Sequence, residues 1–324
     1  MTGIGNKDKD WRHADARHDI ELWTFEYDIY PYLERVSDDE LDQRYREIVN
    51  NVEHLVCPLR DTVPARAQFI SSWWWLKVKF HTEYEYSRRG KGLPPVDAVP
   101  PAPDRAVPYT PAYPNEGSFI VRYGEAKWLE PMLREGTLRL RPASQYKGEV
   151  AQSDLARHDD ELNSHRYVSG SRAKITSQSG QVIPIRGNLK HTTGLAGDYF
   201  LLCCSQEFDY RLFPAFRNSQ GEVADACLVI NNVDEFARRL DAVAQEKLNK
   251  WEFYWNPVMY FDPYNVLPDQ KITPGAFKDF KYAYQREYRF LWNPLSADPD
   301  LLFEIIDLKI GSLEDIATLH YYEG

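Results

Sequence analysis

Long hydrophobic runs are missing from this sequence, and cysteine is scarce. The 324 residues include four cysteines, at Cys57, Cys203, Cys204 and Cys227. This number and irregular spacing exclude a disulfide scaffold and a zinc module, and they fit a reduced protein. No apolar run approaches the roughly 20 residues of a membrane span. The first residues are charged from Lys7 onward, unlike an ordinary secretory signal. We therefore expect a cytoplasmic protein with no membrane partner.

Nucleotide-binding glycine loops and an excess of positive charge are lacking as well. The pairs Gly3-Ile-Gly5 and Gly90-Lys-Gly92 do not continue to a third glycine, so neither is a P-loop or a Rossmann fingerprint. Asp and Glu outnumber Lys and Arg 49 to 39, which gives a net charge of −10. Phosphate binding by the whole surface is therefore disfavoured, and nucleic-acid binding would need a local patch.

Proline divides the chain. The stretch from Lys91 to Pro114 holds eight of the 21 prolines, which excludes a helix or a central strand there. Apolar residues before this stretch recur with helical spacing, whereas those after it alternate with the period of two that is typical of strands. We predict an N-terminal helical module (1–90), a Pro-rich connector (91–116) and a mixed α+β domain (117–324).

Two helices are the clearest elements of the N-terminal module. Ser37 and Glu40 have the spacing of a capping box, which marks a helix start. Apolar stripes follow at Leu41, Tyr45, Ile48, Val52 and Leu55, and at Phe69, Trp73, Leu76, Phe80 and Tyr84. We expect Gly90 to end the second helix. Successive helix residues point about 100° apart, so Trp73, Trp74 and Trp75 cannot share one face. They are expected to pack helices together or against the second domain, and a partner or ligand surface is the alternative.

The C-terminal part alternates strands with short helices. Strands are predicted at Ser118–Tyr123, Thr137–Arg141, Tyr199–Ser205, Ala226–Ile230, Pro257–Phe261, Tyr282–Trp292 and Phe303–Ile310. Helices are predicted at Ala126–Glu135, Val233–Asn249 and Leu313–Leu319, with Asn232 and Ser312 as N-caps of the last two. This order is not a regular strand–helix alternation, so a mixed α+β fold is favoured over a doubly wound parallel sheet.

One predicted strand carries the most informative pattern. In Tyr282–Trp292, aromatic residues recur on one face, which is typical of a core, and Gln285, Glu287 and Arg289 share the other face. A Gln and a Glu two residues apart can hold one substrate between two hydrogen-bonding side chains. The alternative is a solvated strand face with a Glu287–Arg289 pair that contributes roughly 0–1 kcal/mol.

Two further strands add polar side chains. Arg122 interrupts the apolar strand around Phe119 and shares a face with Ile120, where a bidentate guanidinium could meet a phosphate or a ribose oxygen. Ser205 ends another apolar strand and could orient a carboxylate on a neighbouring strand. Arg139 and Arg141 share one face of their strand, where they could contact phosphates or simply be exposed.

Arg122, Ser205 and Gln285-x-Glu287, in this order on successive strands, resemble the ADP-ribosyltransferase fold. The order of short motifs along the chain is similar to that of a divergent bacterial group of this superfamily. The matching motifs are Arg122-Tyr123 before a helix, Gly136–Ser144, Asp159–Glu161 and the closing strand from Phe303. The resemblance covers about residues 117–320. It implies a mixed β-sheet core and NAD as the substrate that supplies ADP-ribose.

The resemblance also implies residue roles. Glu287 would stabilise the oxocarbenium-like transition state as the nicotinamide–ribose bond breaks. Arg122 would clamp NAD, Ser205 would orient Glu287, and Gln285 would meet the acceptor. Tyr123 and Tyr210 are the candidates to enclose the nicotinamide.

The expected function is therefore ADP-ribosylation of a macromolecule, protein or nucleic acid, by a bacterial toxin or a phage-defence effector that a partner such as an antitoxin holds in check. The alternatives are an NAD glycohydrolase and a binding module of the same fold without catalysis. A metal site at His158, Glu161 and His165 is a weaker alternative, because charged segments of this kind are usually solvated and no second ligand cluster follows.

Overall fold

The structure of the chain is a computed structural model. It describes residues 16–55, 72–96, 119–147, 160–171, 173–195, 197–206, 208, 212–216, 223–266, 270–295 and 304–322. Predictions for Asp159, Tyr210, the side chain of Trp73 and most of the Pro-rich connector fall outside this description. The predicted division into three parts is therefore not tested, whereas the mixed α+β class is confirmed.

Helices and strands alternate irregularly after an all-helical start. The helices are α1 (Ala16–Ile29), α2 (Asp38–Leu55), α3 (Ser72–Arg88), α4 (Ala126–Glu135), α5 (Leu212–Ala215) and α6 (Val233–Ala244). The strands are β1 (Ile120–Gly124), β2 (Thr137–Pro142), β3 (Asn163–Ser169), β4 (Ile175–Thr176), β5 (Val182–Ile183), β6 (Asn188–Gly194), β7 (Phe200–Ser205), β8 (Ala226–Ile230), β9 (Trp251–Pro257), β10 (Met259–Phe261), β11 (Phe277–Asp279), β12 (Glu287–Pro294), β13 (Ile306–Lys309) and β14 (Ala317–Tyr321). Short 3-10 helices cover Ala143–Lys147 and Phe280–Gln285.

Local sequence signals place several helix ends correctly. The Glu40 amide donates to the Ser37 hydroxyl, and the Ser37 amide donates to the Glu40 carboxylate, so the predicted capping box is present at the start of α2. The side chain of Asn232 accepts from the Glu235 amide at 3.0 Å and caps α6 as predicted. Gly90, at φ +64°, follows the end of α3.

The N-terminal helices pack on the C-terminal part through aromatic residues and one buried ion pair. The ring of Trp75 lies 5.5 Å from that of Phe280, which confirms the packing role expected for this tryptophan. The guanidinium of Arg44 binds both carboxylate oxygens of Asp262 at 2.7 Å, and both side chains are almost fully buried. In α3 the buried positions include Trp75 and Val78 rather than the predicted Leu76 and Phe80, so the expected stripe is rotated.

An eight-stranded sheet forms the centre of the C-terminal part. Its order is β13-β2-β7-β1-β8-β14, and β12 pairs with the other edge of β7 and with β9. β7 therefore has β12 along one edge, while β2 and β1 share the opposite edge. β1 reaches β7 at Val121–Ser205, and β2 reaches it at Arg141–Leu201. The two strands separate between these points and leave a gap in the sheet.

The sheet is covered differently on its two faces. One face buries Phe200, Leu202, Phe290 and Trp292 against α4 and α6 in the largest apolar core. The other face carries two smaller apolar clusters, one around Val121 with α5 and one around Tyr199 and Leu201. Between these two clusters, the second face carries buried polar side chains.

The predicted strand Tyr282–Trp292 is wrong in its first half. Phe280–Gln285 is a 3-10 helix, Arg286 has a left-handed conformation with φ +44°, and the strand begins at Glu287. Asn51 of α2 explains the difference, because its amide nitrogen donates to the Lys281 carbonyl and its oxygen accepts from the Tyr284 amide. The backbone is thus satisfied by a side chain from a distant helix instead of by strand pairing.

Two other predictions need correction. Leu313–Leu319, predicted as a helix, contains the start of β14, which pairs antiparallel with β8 from Ala317–Ile230 onward. The edge of β8 that does not face β1 supplies hydrogen bonds to the strand part of this segment. Ser312 caps a single turn before it, since its hydroxyl accepts from the Glu314 amide. Pro257–Phe261, predicted as one strand, is divided into the end of β9 and the short β10, which pairs with β11 instead.

Candidate functional site

A cavity of about 790 Å³ lies at the gap between β1 and β2. Its volume is in the range of small-molecule and cofactor sites, roughly 300–1,000 Å³. Five residues predicted from the sequence line it: Arg122, Tyr123, Ser205, Gln285 and Glu287. α4 forms one wall and the ends of β2 and β13 form another, while β7 lies across the floor.

Arg122 bridges the gap in the sheet. Its guanidinium donates to the backbone carbonyl of Cys203. Cys203 is at the middle of the part of β7 that pairs with neither β1 nor β2. The Gln206 amide donates to the Arg286 carbonyl, so even-numbered positions here direct their backbone groups toward β12. Odd-numbered positions such as Cys203 direct theirs toward the gap, because backbone groups alternate sides along a strand.

Glu287 lies at the buried end of the cavity in a cluster of four charged side chains, Glu161, Lys278, Glu287 and Arg289, which we call the ion cluster. Lys278 Nζ is 2.9 Å from Glu287 Oε2, and Arg289 Nε is 2.9 Å from Glu287 Oε1. The same two cations bind Glu161, at 3.5 Å from Lys278 and 2.7 Å from Arg289. Two carboxylates and two cations give the cluster no formal net charge.

The neighbours of Glu287 keep its carboxylate ionised. Burial alone would raise the pKa of Glu287, but the charges of Arg289 and Lys278 and hydrogen bonds from Arg289 and Cys203 outweigh it and hold the pKa well below its usual range. Burial raises the pKa of the Cys203 thiol, and the charge of Glu287 raises it further. Glu287 is therefore a carboxylate and Cys203 a neutral thiol at neutral pH.

Ser205 lies next to Glu287 but makes a different bond from the one expected. The two residues are directly opposite each other in the β7–β12 pairing. The Ser205 hydroxyl donates to the Gln285 carbonyl at 2.7 Å, so it fixes the turn that leads into β12. The groups that hold the Glu287 carboxylate are instead Lys278, Arg289 and Cys203.

Gln285 lines the cavity from the 3-10 helix, not from the strand. The expectation that Gln285 and Glu287 share a strand face is wrong, since Arg286 turns the chain between them. The side chain of Gln285 is buried, and its amide nitrogen lies 3.4 Å from the Tyr284 hydroxyl. Gln285 and Glu287 therefore approach the cavity from different backbone directions.

Tyr123 is placed at the edge of the cavity by aromatic packing. Its ring stacks on that of Phe216 at 5.4 Å and meets the edge of Phe213 at 5.1 Å. Since Tyr123 is 5% exposed, its contribution to the cavity is a rigid wall. Tyr210, the second predicted aromatic, lies outside the described residues.

The rim of the cavity is aromatic and cationic. Trp128 on α4 lines it and is 65% exposed, which marks the side that faces solvent. Arg139 and Arg141 of β2 also line the cavity, and Arg139 pairs with Asp307. Arg122, Arg139 and Arg141 supply guanidinium groups, which bind phosphates well, and the carboxylates of Glu125 and Asp307 line the cavity as well.

The sequence reasoning missed Lys278, Arg289 and Cys203 as parts of the site. Arg289 was interpreted only as a surface partner of Glu287, and the direct contact between them at 2.9 Å is buried instead. Lys278 comes from β11, whose pairing with β10 could not be anticipated from the sequence. Glu161 was a recognised position of the resemblance, but its contact with Arg289 had no local signal.

Metal and membrane sites are not seen in the part of the chain that the structure describes. No group of three or more His, Cys, Asp and Glu side chains is arranged there to hold a metal ion. Glu161 of the alternative metal site belongs to the ion cluster, and His165 lies in β3 beside Thr192. None of the described helices has the length and apolar character needed to cross a bilayer.

Comparisons with protein-family models, with curated proteins and with solved structures find no match to this chain.

Proposed function

We propose that the chain is an NAD-dependent ADP-ribosyltransferase that modifies a macromolecular target. The observation that carries the proposal is the convergence of Arg122, Tyr123, Ser205, Gln285 and Glu287 on one cavity. These residues lie up to 165 positions apart in the sequence. Four separate elements, β1, β7, the 3-10 helix and β12, bring them together.

The chemistry requires positioning and a negative charge near a developing cation. When the bond between nicotinamide and ribose breaks, nicotinamide leaves as a neutral molecule and positive charge develops on the ribose. An ionised carboxylate that is already in place stabilises this charge without reorganisation. Glu287 would be this carboxylate, since it is ionised at the buried end of the cavity, and Arg122, whose guanidinium donates to the Cys203 carbonyl across the gap, would bind a phosphate or a ribose oxygen.

The hydrogen bonds that the Glu287 carboxylate already accepts determine where a substrate hydroxyl can bind to it. A carboxylate offers about four acceptor positions. Lys278 uses one, Arg289 uses two and the Cys203 thiol uses another. The thiol is the weakest of these donors. A ribose hydroxyl therefore reaches Glu287 most easily by replacing the Cys203 thiol, which faces the same cavity.

A nucleotide-binding module without catalysis is the second candidate. It is favoured by the neutrality of the ion cluster, because Lys278 and Arg289 already compensate the charge of Glu287. In that case the cavity would bind a dinucleotide through Arg122 and the rim without cleaving it.

Incubation with NAD labelled on the ADP-ribose, in a cell extract, separates these functions. The wild type should transfer label to a macromolecule, and Glu287→Gln should lower the rate on the order of 10²–10³-fold because it removes the charge. Glu246→Gln, which changes an exposed carboxylate on the surface, is the matched control and should transfer normally.

The remaining outcomes are equally informative. Equal labelling by the wild type and Glu287→Gln would contradict the proposed catalytic role. Free ADP-ribose without labelled macromolecule would identify a glycohydrolase. NAD binding by the wild type in titration, with neither product, would identify the binding module. Thermal unfolding of each variant shows whether it is folded.

A further inference from the structure

One segment of this acidic chain has a purely basic charge pattern. Residues 163–197, which we call the basic ribbon, contain the cations Arg166, Arg172, Lys174, Arg186 and Lys190 and no Asp or Glu. The whole chain, by contrast, has a net charge of −10. A run of this length without a carboxylate is a local patch of the kind that an acidic protein needs to bind a polyanion.

The structure forms this segment into a two-stranded antiparallel ribbon. β3 and β6 pair over their full length, from Asn163–Gly194 to Ser169–Asn188, and β4 and β5 extend the ribbon beyond them. The ribbon is separate from the eight-stranded sheet. Its strands face solvent along much of their length, with every described residue from 188 to 195 at least partly exposed.

Contacts on the inner side hold the ribbon in a fixed position. The ring of Tyr167 stacks on Tyr264 at 4.6 Å, and the Tyr167 amide donates to the Pro263 carbonyl. Ser171 donates to the carboxylate of Glu34 at 2.6 Å. A ribbon fixed at these points can bind a ligand without first being ordered, which lowers the entropic cost of binding.

Three of the described cations are exposed, and the cations of the paired strands lie on both faces of the ribbon. Lys174, Arg186 and Lys190 are exposed, and none of them forms an ion pair with a described carboxylate. Lys190 is opposite Tyr167 in the pairing, whereas Arg166 is opposite His191 on the other face. Exposed cations spread along the ribbon can contact successive phosphates of one nucleic-acid strand.

The other side chains of the ribbon are hydrogen-bonding groups. Asn, Gln, Ser and Thr recur throughout it, including Gln178, Gln181, Thr192 and Thr193. These are the residue types that, together with Arg and Lys, contact phosphates and sugars. Trp and Phe, which anchor proteins in a membrane interface, do not occur between positions 163 and 197.

We propose that the basic ribbon binds the phosphodiester backbone of a nucleic acid. A two-stranded ribbon has the width that the major groove of B-DNA accepts. Binding of this kind is largely independent of sequence and depends strongly on salt. The ribbon starts two residues after Glu161, so a bound strand would lie next to the cavity, but the binding does not depend on the proposed reaction with NAD.

The test is fluorescence anisotropy of the full chain with a labelled DNA duplex and an RNA strand of equal length, without NAD. Wild-type affinity should fall on the order of 10²-fold between about 50 and 200 mM salt if four phosphates are contacted. The triple variant Lys174→Glu, Arg186→Glu and Lys190→Glu should bind on the order of 10²-fold more weakly. Its salt slope should be smaller by about three.

The matched control is the triple variant Arg134→Glu, Lys250→Glu and Lys271→Glu, which makes the same charge change at exposed residues outside the ribbon. It should bind as the wild type does, apart from a small general effect of net charge. If the ribbon triple variant does not fold, single Ala substitutions at the same positions should each lower the salt slope by about one.

Three results would overturn the proposal. The first is equal loss of affinity in both triple variants. The second is no binding of either nucleic acid by the wild type. The third is ribbon-dependent binding to vesicles of phosphatidylserine and phosphatidylcholine without binding to nucleic acid. Stronger binding of the DNA duplex or of the RNA identifies which nucleic acid the ribbon prefers.

Discussion

Two buried groups of charged residues differ in their surroundings. The ion pair of Arg44 and Asp262 is enclosed by the rings of Tyr32, Tyr264 and Phe280, which lie 5.1–5.7 Å from the guanidinium carbon. Neither member lines the cavity. In the ion cluster, Glu161, Lys278 and Glu287 all line it.

The comparison separates a structural use of buried charge from a functional one. Both groups are formally neutral, and both satisfy their charges by direct contacts of 2.7–3.5 Å. Arg44 and Asp262 join α2 to the chain after β10 and have no route to solvent through the cavity. The ion cluster instead places a carboxylate where a ligand can reach it. Burial is similar in the two groups, so access to the cavity is the feature that identifies the second group as a site.

The largest expected effect is loss of stability when the enclosed pair is broken. Asp262→Asn leaves the Arg44 guanidinium buried without its carboxylate, which should cost about 3–5 kcal/mol in the free energy of unfolding. Glu287→Gln should cost less, because water in the cavity can solvate the remaining charge. Denaturant unfolding measures both. Asp307→Asn, in an exposed pair with Arg139, is the control and should cost about 0–1 kcal/mol. Equal losses for Asp262→Asn and Glu287→Gln would remove the proposed distinction.

Low pH should destabilise the region around the Arg44–Asp262 pair through the protonation of His81. Burial lowers the pKa of His81 from 6.5 to about 4, where the ring lies between the Tyr32 hydroxyl and the Trp23 carbonyl. The unfolded state therefore binds more protons between these values. The stability contribution is complete above pH 6.5 and is lost as the pH falls toward 4, by up to roughly 3 kcal/mol.

Unfolding measured across this pH range tests the role of His81. The slope of stability against pH should decrease in His81→Gln and persist in His191→Gln, which changes an exposed histidine. An unchanged slope in His81→Gln would show that other groups cause the acid sensitivity.

The smallest expected effect is rescue of the ion cluster by a small anion. Glu287→Ala leaves Lys278 and Arg289 with a single carboxylate beside the cavity. Acetate at tenfold excess over its Kd should stabilise this variant by about 1.4 kcal/mol, or about 2–4 °C in Tm. Asp262→Ala should not respond, because its site is enclosed. Chloride at the same ionic strength is the control, and an equal response of both variants to acetate would contradict the difference in access.

Local signals in the sequence predicted much of the fold. Ser37, Glu40 and Asn232 mark helix starts with side chains that bond to backbone amides within three residues, so no tertiary information was needed. The predicted helix Ala126–Glu135 has the bounds of α4. Short continuous apolar runs identified β7 and β8, whose residues are buried in the core.

The errors arise where a distant partner supplies the hydrogen bonds. Asn51 turns the segment before Glu287 into a 3-10 helix, and the edge of β8 makes a strand of Ala317–Tyr321. In the site, Ser205 ends β7 and Glu287 begins β12, whereas Arg122 lies in the middle of β1 and reaches across the gap in the sheet. Lys278 was missed because its contact with Glu287 depends on the pairing of β10 with β11, which leaves no periodic signal.

The register of β7 determines where the protein can tolerate insertions and deletions. Its register simultaneously sets the carbonyl that Arg122 binds, the thiol that contacts Glu287 and the hydroxyl that fixes the turn before β12. A slip by one residue would point each side chain to the opposite face of the sheet. Insertions or deletions in this strand should therefore disrupt all these contacts together, whereas length changes in the loops that precede or follow it should leave them intact.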